Sequence, residues 1–187
     1  MDSKSNLLFA LTFIFISSHI STTQVDAQSL LLRKEKVTYL HFFLHDIISG
    51  SNPTAVLVAK PNNTNVGSGN PTPFGSVFAI DDPLTDGPEL SSNVIGNAQG
   101  FYVSSSQDKL TLVLAVDFGF TTEEFNGSSI SVFSRNPVLE NDRELAIVGG
   151  RGKFRLARGF AKLHTYSLNG TNGDAIIEYN VTVFHYE

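Results

Sequence analysis

Apolar and polar residues alternate with a period of two along most of this chain, and this pattern constrains the fold more than any other feature. Successive side chains of a β-strand point to opposite faces, so such alternation is typical of strands with one buried face. No segment shows apolar residues at helical spacing over three or more turns. The sequence therefore predicts an all-β fold. The predicted strands are Val37–Leu44, Thr54–Ala59, Gly75–Ile80, Val94–Val103, Leu110–Phe118, Ser129–Phe133, Glu144–Val148, Ala157–Tyr166 and Ala175–Tyr186.

The spacing of these strands predicts a closed antiparallel barrel or a sandwich in a single domain. Turns are predicted between them, among others at Asp81–Pro83 and at Gly149–Gly150. Closure removes exposed strand edges, which matters because the chain has no cysteine to form a stabilising disulfide. A barrel of about eight strands can also hold one small ligand in its mouth.

The first 27 residues have the pattern of a cleaved secretory signal peptide. Lys4 supplies a positive start, Leu7–Ile16 is apolar, and Val25-Asp26-Ala27 places small residues where a signal peptidase cuts. The apolar run of about ten residues is roughly half the length of a membrane-spanning helix. We therefore expect a secreted protein without a membrane anchor, with a polar and basic tail at 28–36 and a barrel domain at 37–187.

The charge of the chain makes nucleic acid an unfavourable partner. Without the first 27 residues, the chain carries 12 basic and 16 acidic residues. Glycosylation is expected, because four Asn-X-Ser/Thr sequons occur in a chain with a secretory signal. The sequons are those of Asn62, Asn126, Asn169 and Asn180.

Common catalytic motifs are missing from the sequence. It contains no G-x-S-x-G elbow, no H-E-x-x-H pair and no P-loop ending in Gly-Lys-Ser/Thr. The glycines at 149–152 lie between two predicted strands, which indicates a turn and not a phosphate cradle. The scattered histidines form no recognisable ligand set. We therefore predict neither a metal nor a cofactor.

Asp46 is the most promising functional residue, because it ends an alternating apolar face formed by Leu40, Phe42 and Leu44. A carboxyl at the rim of an apolar cavity has its pKa raised by desolvation and can keep a proton near neutral pH. The alternative is that Asp46 only caps a turn at Ser49 and Gly50. From pattern alone, Tyr102 and Arg143 fit either structural packing and ion pairing or a ligand site.

Four motifs, in order, resemble those of the plant dirigent family. They are Phe43-Leu44-His45-Asp46-Ile47, Asp82-Pro83-Leu84-Thr85, Gln99-Gly100-Phe101-Tyr102, and the run from Arg143 to Gly150 that continues into Gly152, Phe154 and Ala157-Arg158-Gly159. The resemblance implies an eight-stranded antiparallel barrel related to allene oxide cyclase. It also implies a glycosylated protein of the apoplast that forms homo-oligomers, as a trimer or a dimer.

The resemblance further implies a function in phenylpropanoid metabolism. A separate laccase or peroxidase would oxidise coniferyl alcohol-type monolignols to phenoxy radicals, and the barrel would direct their stereoselective coupling to optically active lignans. By matching position, Asp46, Tyr102 and Arg143 would bind phenolic oxygens or supply a proton. Phe42, His45 and Asn136 are the further candidates for the pocket.

Two differences from lignan-forming dirigent proteins leave an alternative function open. Lignan-forming members carry an additional aspartate where this chain has Asn136, and many have a cysteine pair that is absent here. In both respects the chain resembles the branch that contains pterocarpan synthase, an isoflavanol dehydratase that acts through a quinone methide. Whether the protein is an enzyme is therefore open at this stage. A third possibility is a barrel that binds phenolic or sugar ligands in defence or cell walls without turnover.

Overall fold

Nine β-strands and two 3-10 helices make up most of residues 34–61 and 72–186, the part of the chain that this computed structural model describes. The strands are β1 (Glu35–Asp46), β2 (Ala55–Ala59), β3 (Val77–Thr85), β4 (Val94–Ser104), β5 (Thr111–Phe120), β6 (Ser129–Pro137), β7 (Arg143–Arg151), β8 (Arg158–Leu168) and β9 (Ala175–Tyr186). The 3-10 helices are Glu123–Phe125, before β6, and Gly152–Phe154, before β8.

The strands close into an eight-stranded antiparallel barrel, which confirms the predicted fold. From β3 to β9 each strand pairs with the next along the chain, β9 pairs with β1, and β1 closes the ring on β3. The short strand β2 pairs with the other half of β3, beyond the end of β1. Strands β1 and β2 therefore lie end to end along β3, and the chain between them, residues 47–54, forms a loop at one end of the barrel.

Alternation along the strands places one set of side chains inside the barrel. The face predicted from Leu40, Phe42 and Leu44 points inward, and Phe42 is fully buried between Phe118 and Tyr179. Rings cluster at this level, with Phe42 and Tyr179 stacked at 5.3 Å between centroids. Burial of such large apolar side chains is the main favourable term in folding.

The turn predicted at Asp81–Pro83 is wrong, because all three residues belong to β3. Pro83 pairs with Asn97 of β4, and the connection to β4 comes later, across 86–93. A proline lacks the N–H that a central strand needs. It is tolerated here because β1 pairs with β3 only at Leu84 and Thr85, so Pro83 lies at the break between β1 and β2.

The turn predicted at Gly149–Gly150 is also wrong, because both glycines lie within β7. Gly150 is required by a close approach: a Cβ atom there would lie 2.5 Å from the carbonyl oxygen of Phe154 and 2.7 Å from that of Ser129. The chain turns afterwards at Gly152, whose φ of 63° is the left-handed conformation that glycine adopts most readily.

Several predictions concern regions that the structure describes only in part. The signal peptide at Met1–Ala27 and the sequon at Asn62 lie outside the described residues. The side chains of Asn126, Asn169 and Asn180 are exposed, so a glycan could reach them, and glycosylation stays a prediction. Strand β1 begins at Glu35, two residues inside the predicted tail. Within residues 34–61 and 72–186, no helix has the length and apolar character needed to cross a membrane.

Candidate functional site

A cavity opens inside the barrel at the end where β1 finishes and β9 begins. Its volume is about 90 Å³. Aliphatic and aromatic side chains form most of its wall, and five polar side chains interrupt it, which is the composition typical of small-molecule sites. The apolar wall includes Leu44, Ile48, Ile80, Leu110, Leu112, Leu114, Val116, Phe118, Val138, Leu168 and Ile177, and the polar residues are Asp46, Thr72, Asn136, Arg143 and Thr165.

Asp46 presents a carboxyl group to this cavity from the last position of β1. Its Oδ1 atom is buried and has no hydrogen-bond partner among the described residues. Burial raises the pKa of the Asp46 carboxyl to about 7, the charge of Asp174 adds to the rise, and a hydrogen bond with Tyr102 opposes it. Asp46 is therefore a carboxylic acid that can hold a proton near neutral pH.

Tyr102 reaches the same part of the cavity from β4. Its ring stacks on Phe78, with 5.0 Å between centroids, and only 3% of the residue is exposed. Burial raises the pKa of the Tyr102 hydroxyl well above its ordinary value, and the nearby carboxyls of Asp46 and Asp82 add to the effect. The hydroxyl thus stays protonated at physiological pH and can donate a hydrogen bond to Asp46 or to a ligand oxygen.

Arg143 supplies a buried guanidinium group to the cavity from the first position of β7. Its Nη1 donates to Asn136 Oδ1 at 3.3 Å and its Nη2 donates to Thr165 Oγ1, while Nε has no partner among the described residues. Burial lowers the pKa of Arg143, and the group stays charged because arginine titrates far above neutrality. A cation with only neutral partners can stabilise negative charge that develops on a bound oxygen.

The acidic and basic groups lie on opposite arcs of the barrel wall. Asp46 and Tyr102 belong to the arc formed by β1, β3 and β4, whereas Asn136, Arg143 and Thr165 belong to the arc formed by β6, β7 and β8. Strands β5 and β9 separate the two arcs on either side. A ligand in the cavity can therefore meet a proton donor at one end and a cation at the other.

A carboxylate clamp fixes one side of the cavity mouth. Asp174 Oδ1 accepts hydrogen bonds from the backbone amides of Ile48 and Ser49, each at 2.9 Å, and Oδ2 accepts from Ser49 Oγ at 2.6 Å and Asn172 Nδ2 at 2.8 Å. Burial favours the neutral form of Asp174, but these hydrogen bonds outweigh it and lower the pKa. Of the two residues whose turn Asp46 would cap in the alternative interpretation, Ser49 thus has its amide bonded to Asp174.

The predicted site residues separate into two groups. Asp46, Tyr102, Asn136 and Arg143 all line the cavity. Phe42 and His45 are fully buried but are not part of its wall. Sequence reasoning missed Thr165, which holds the Arg143 guanidinium, because a threonine in an alternating strand gives no distinctive signal.

The buried histidines are held by hydroxyl groups. His45 Nε2 lies 2.7 Å from Thr85 Oγ1, and His185 Nε2 lies 2.8 Å from Thr38 Oγ1. Burial lowers the pKa of His45, which favours the neutral ring. In the described ranges, no group of three or more His, Cys, Asp or Glu side chains is arranged to hold a metal ion.

Comparison with known proteins identifies the class to which this fold and cavity belong. The model of the family described as "Dirigent-like protein" matches residues 37–184. The chain is 57% identical to dirigent protein 15 of Arabidopsis thaliana over 159 residues, which are 83% of each chain. This protein therefore belongs to the dirigent family, as its motifs predicted.

Pterocarpan synthases are also among its relatives. The chain is 44% identical to pterocarpan synthase 1 of Glycyrrhiza echinata over 191 residues, which span both chains completely. The solved structure of a pterocarpan synthase dirigent protein matches with a TM-score of 0.77 and 49% identity, over 82% of this chain and 87% of that chain.

Proposed function

We propose that this protein binds phenolic substrates in the barrel cavity and imposes facial selectivity on the coupling of their phenoxy radicals. A separate oxidase, such as a laccase or a peroxidase, generates the radicals from coniferyl alcohol-type monolignols. The products are optically active lignans or related phenolic dimers. In this proposal the protein is a non-oxidising auxiliary factor.

The observation that carries this proposal is the polarity of the cavity. Its wall is apolar enough to accept aromatic rings, and two sets of polar groups lie on opposite arcs, Asp46 with Tyr102 and Arg143 with Asn136 and Thr165. Phenolic oxygens can be hydrogen-bonded by either arc while the rings pack on the apolar wall. A substrate bound in this way presents only one face of its ring to the second radical.

Orientation alone is sufficient for such a role. Radical coupling is fast, so the cavity needs only a difference of about 2 kcal/mol between the two facial approaches for roughly thirtyfold enrichment. The acid at Asp46 can then assist a later step, by protonating the oxygen of a quinone methide during ring closure. The Arg143 guanidinium stabilises negative charge on the phenolic oxygen at the other end of the cavity.

A second candidate is dehydration of an isoflavanol through a quinone methide. One specific observation favours it: a single protonated carboxyl, Asp46, lines the cavity beside Tyr102, and Asn136 provides no additional acid. Loss of water needs one proton donor at the leaving hydroxyl and an anion-stabilising group at the phenol, and Arg143 provides the latter. The likeness to proteins named pterocarpan synthase is consistent with this candidate.

Chiral chromatography of reaction products distinguishes the candidates. Purified protein is incubated either with coniferyl alcohol and a one-electron oxidant or with an isoflavanol and no oxidant. Optical enrichment in the oxidant reaction alone supports radical steering, whereas loss of water without oxidant supports the dehydratase. Racemic dimers and unchanged isoflavanol, together with measurable ligand binding, would contradict both and leave a barrel that only binds.

We further propose that the protein acts in the apoplast as a glycosylated homo-oligomer. The signal-like segment supports secretion, and the exposed sequons at Asn126, Asn169 and Asn180 are accessible to a glycan. Support for self-association comes from the outer face of the barrel, where Phe101 is 47% exposed and Phe133 is 61% exposed. Both rings flank Ala115 in one row across β4, β5 and β6.

A further inference from the structure

A second carboxyl group lies behind the cavity wall, next to Asp46. Asp82 follows Phe78 and Ile80 on the inward face of β3 and is only 1% exposed. The pairing of β1 with β3 ends at Leu44 opposite Leu84, and extending that register by two residues brings Asp46 opposite Asp82. The break between β1 and β2 therefore places the two carboxyl groups on neighbouring strands, although no hydrogen bond joins them in this structure.

The surroundings of Asp82 do not support an ionised side chain. Neither of its carboxyl oxygens has a hydrogen-bond partner of good geometry among the described residues, and the nearby Thr54 hydroxyl offsets only part of the rise in pKa that burial causes. Its neighbours inside the barrel include Ile80, Leu84 and, across the β3–β4 pairing, the fully buried Ala98. An isolated carboxylate is strongly disfavoured in such a place, so the group keeps its proton or shares one with another acid.

Other titratable groups lie near Asp46 and Asp82, but none of them can take the place of a contact between these two carboxyl groups. Tyr102 on β4 and Tyr179 on β9 are buried and stay protonated. Asp174 in the loop before β9 and Asp81 on the outer face of β3 are acidic, so both disfavour a further negative charge. The positive charge of Arg143, on the opposite arc, lowers the pKa of Tyr179 and so acts against the effect of burial. Asp46 is thus the acid that faces Asp82 from the adjoining strand.

We propose that Asp82 is a positioning residue for the proposed acid: it forms a carboxyl pair with Asp46 that retains a proton and stabilises Asp46 after that group has given its proton to a bound substrate. This inference rests on the proposed function, since it concerns the same cavity. When Asp46 protonates a ligand oxygen, it becomes a carboxylate. Asp82 keeps its proton during this step and donates a hydrogen bond to that carboxylate, so the pair then carries one negative charge instead of two.

The pair also accounts for acid chemistry in a chain that has an amide at Asn136. Burial raises the pKa of Asp82 to about 8, and the neighbouring Asp46 adds to the rise. Two such carboxyls lose their protons in steps that belong to the pair and not to either residue. The second acid of this site therefore comes from β3, inside the Asp82-Pro83 motif, and not from β6.

Nuclear magnetic resonance of the Asp carboxyl carbons tests the pair without any substrate, so its failure is separate from a failure of the proposed function. The experiment compares the wild-type protein with Asp82→Asn, which keeps the shape but removes the charge. We expect the two-step curve of Asp46 to become a single step and its midpoint to rise by about one pH unit, because an amide is a weaker donor to the Asp46 carboxylate than the protonated Asp82 carboxyl. The matched control is Asp81→Asn, which removes the adjacent charge from the outer face and should shift the curve much less.

An unchanged Asp46 titration in folded Asp82→Asn would overturn the proposal. If that variant does not fold, Asp46→Asn is the reciprocal test, and the Asp82 carboxyl should then titrate in one step at lower pH. A curve for Asp82 that is the same with and without Asp46 would also overturn it. In the product assay, Asp82→Asn should move the alkaline limit of activity to higher pH, whereas a purely structural role would reduce the amount of folded protein and leave that limit in place.

Discussion

At the scale of single residues, Asp46 and its surroundings determine what the cavity can do. The side chain follows the buried Leu44 on the inward face of β1 and stands where that strand leaves the barrel wall. Apolar neighbours raise its pKa, and the Tyr102 hydroxyl opposes only part of that effect. The arrangement keeps a proton at the rim of an apolar cavity, which is what acid assistance near neutral pH requires.

The activity should therefore depend on pH with a defined sign. Because the acid acts in its protonated form and the pKa of Asp46 is raised to about 7, acid-assisted turnover should be constant at lower pH and should fall as the pH rises through 7. The measurement is the rate of optically active product between pH 5 and 9, with the uncatalysed reaction subtracted at each pH. A rate that increases across this interval would contradict an acid role for Asp46.

Part of this site could be predicted from the sequence. The alternation of Leu40, Phe42 and Leu44 was enough to place Asp46 at the end of an inward face. The position of Asp82 could not be predicted in the same way, because an Asp-Pro pair is typical of turns and the register that closes the barrel depends on pairing between distant strands. Phe42 was assigned to the pocket because it shares the inward face of Asp46, yet it lies deeper, among Phe118 and Tyr179.

At the scale of elements, the glycines of β7 illustrate why the strand ends were harder to predict than the strands. Consecutive glycines are common in turns, but those at 149 and 150 continue a ladder with Ser131 and Ile130. The reason is the packing of the following 3-10 helix, Gly152–Phe154, against β6 and β7. A contact of this kind leaves no periodic signal in the sequence.

Replacing Gly149 and Gly150 with alanine should show whether close packing or backbone conformation is the reason for glycine at each position. Gly150→Ala should destabilise the fold by about 3 kcal/mol, because a Cβ atom would lie 2.5 Å and 2.7 Å from two carbonyl oxygens. Gly149→Ala is the matched control: no atom lies within 4 Å of its added Cβ, so its effect should stay within about 0.5 kcal/mol. Urea unfolding measures both, and equal losses in the two variants would refute this explanation.

The loop between β1 and β2 provides another prediction at this scale. Asp174→Ala removes the acceptor of the Ile48 and Ser49 amides and should cost about 1 kcal/mol while accelerating hydrogen exchange at those two amides. Asp117→Ala is a suitable control, because Asp117 accepts hydrogen bonds from Ser131 and Arg151 on the outer face. The clamp would be refuted if exchange in the loop were equally fast in both variants.

At the scale of the whole molecule, closure of the barrel and exposure of its outer face have different consequences. Closure through the β1–β3 pairing joins the two ends of the sheet without any cysteine and brings distant polar residues to one cavity. The outer face keeps a row of apolar side chains across β4, β5 and β6, with Phe101 and Phe133 exposed. Exposed apolar patches of this kind often mark protein–protein contacts.

The proposed homo-oligomer is tested by polar substitutions in that row. Phe101→Ser combined with Phe133→Ser should shift the protein toward the monomer, because the apolar area available for self-association is removed. Tyr39→Ser is the control, since Tyr39 is 78% exposed on β1, away from the row. Sedimentation velocity measures the mass, and an unchanged oligomer in the double variant would exclude this face as the interface.

The most direct test of the account is the enantiomeric excess of the product formed with Asp46→Asn. The amide keeps the shape of the side chain but cannot supply the proton. In a variant with an unchanged circular dichroism spectrum, we expect the product to become nearly racemic or the rate of dehydration to fall by at least about a hundredfold. Asp86→Asn, at an exposed position after β3 that does not line the cavity, should behave as the wild type. Product of unchanged handedness and yield from folded Asp46→Asn would remove Asp46 from the mechanism.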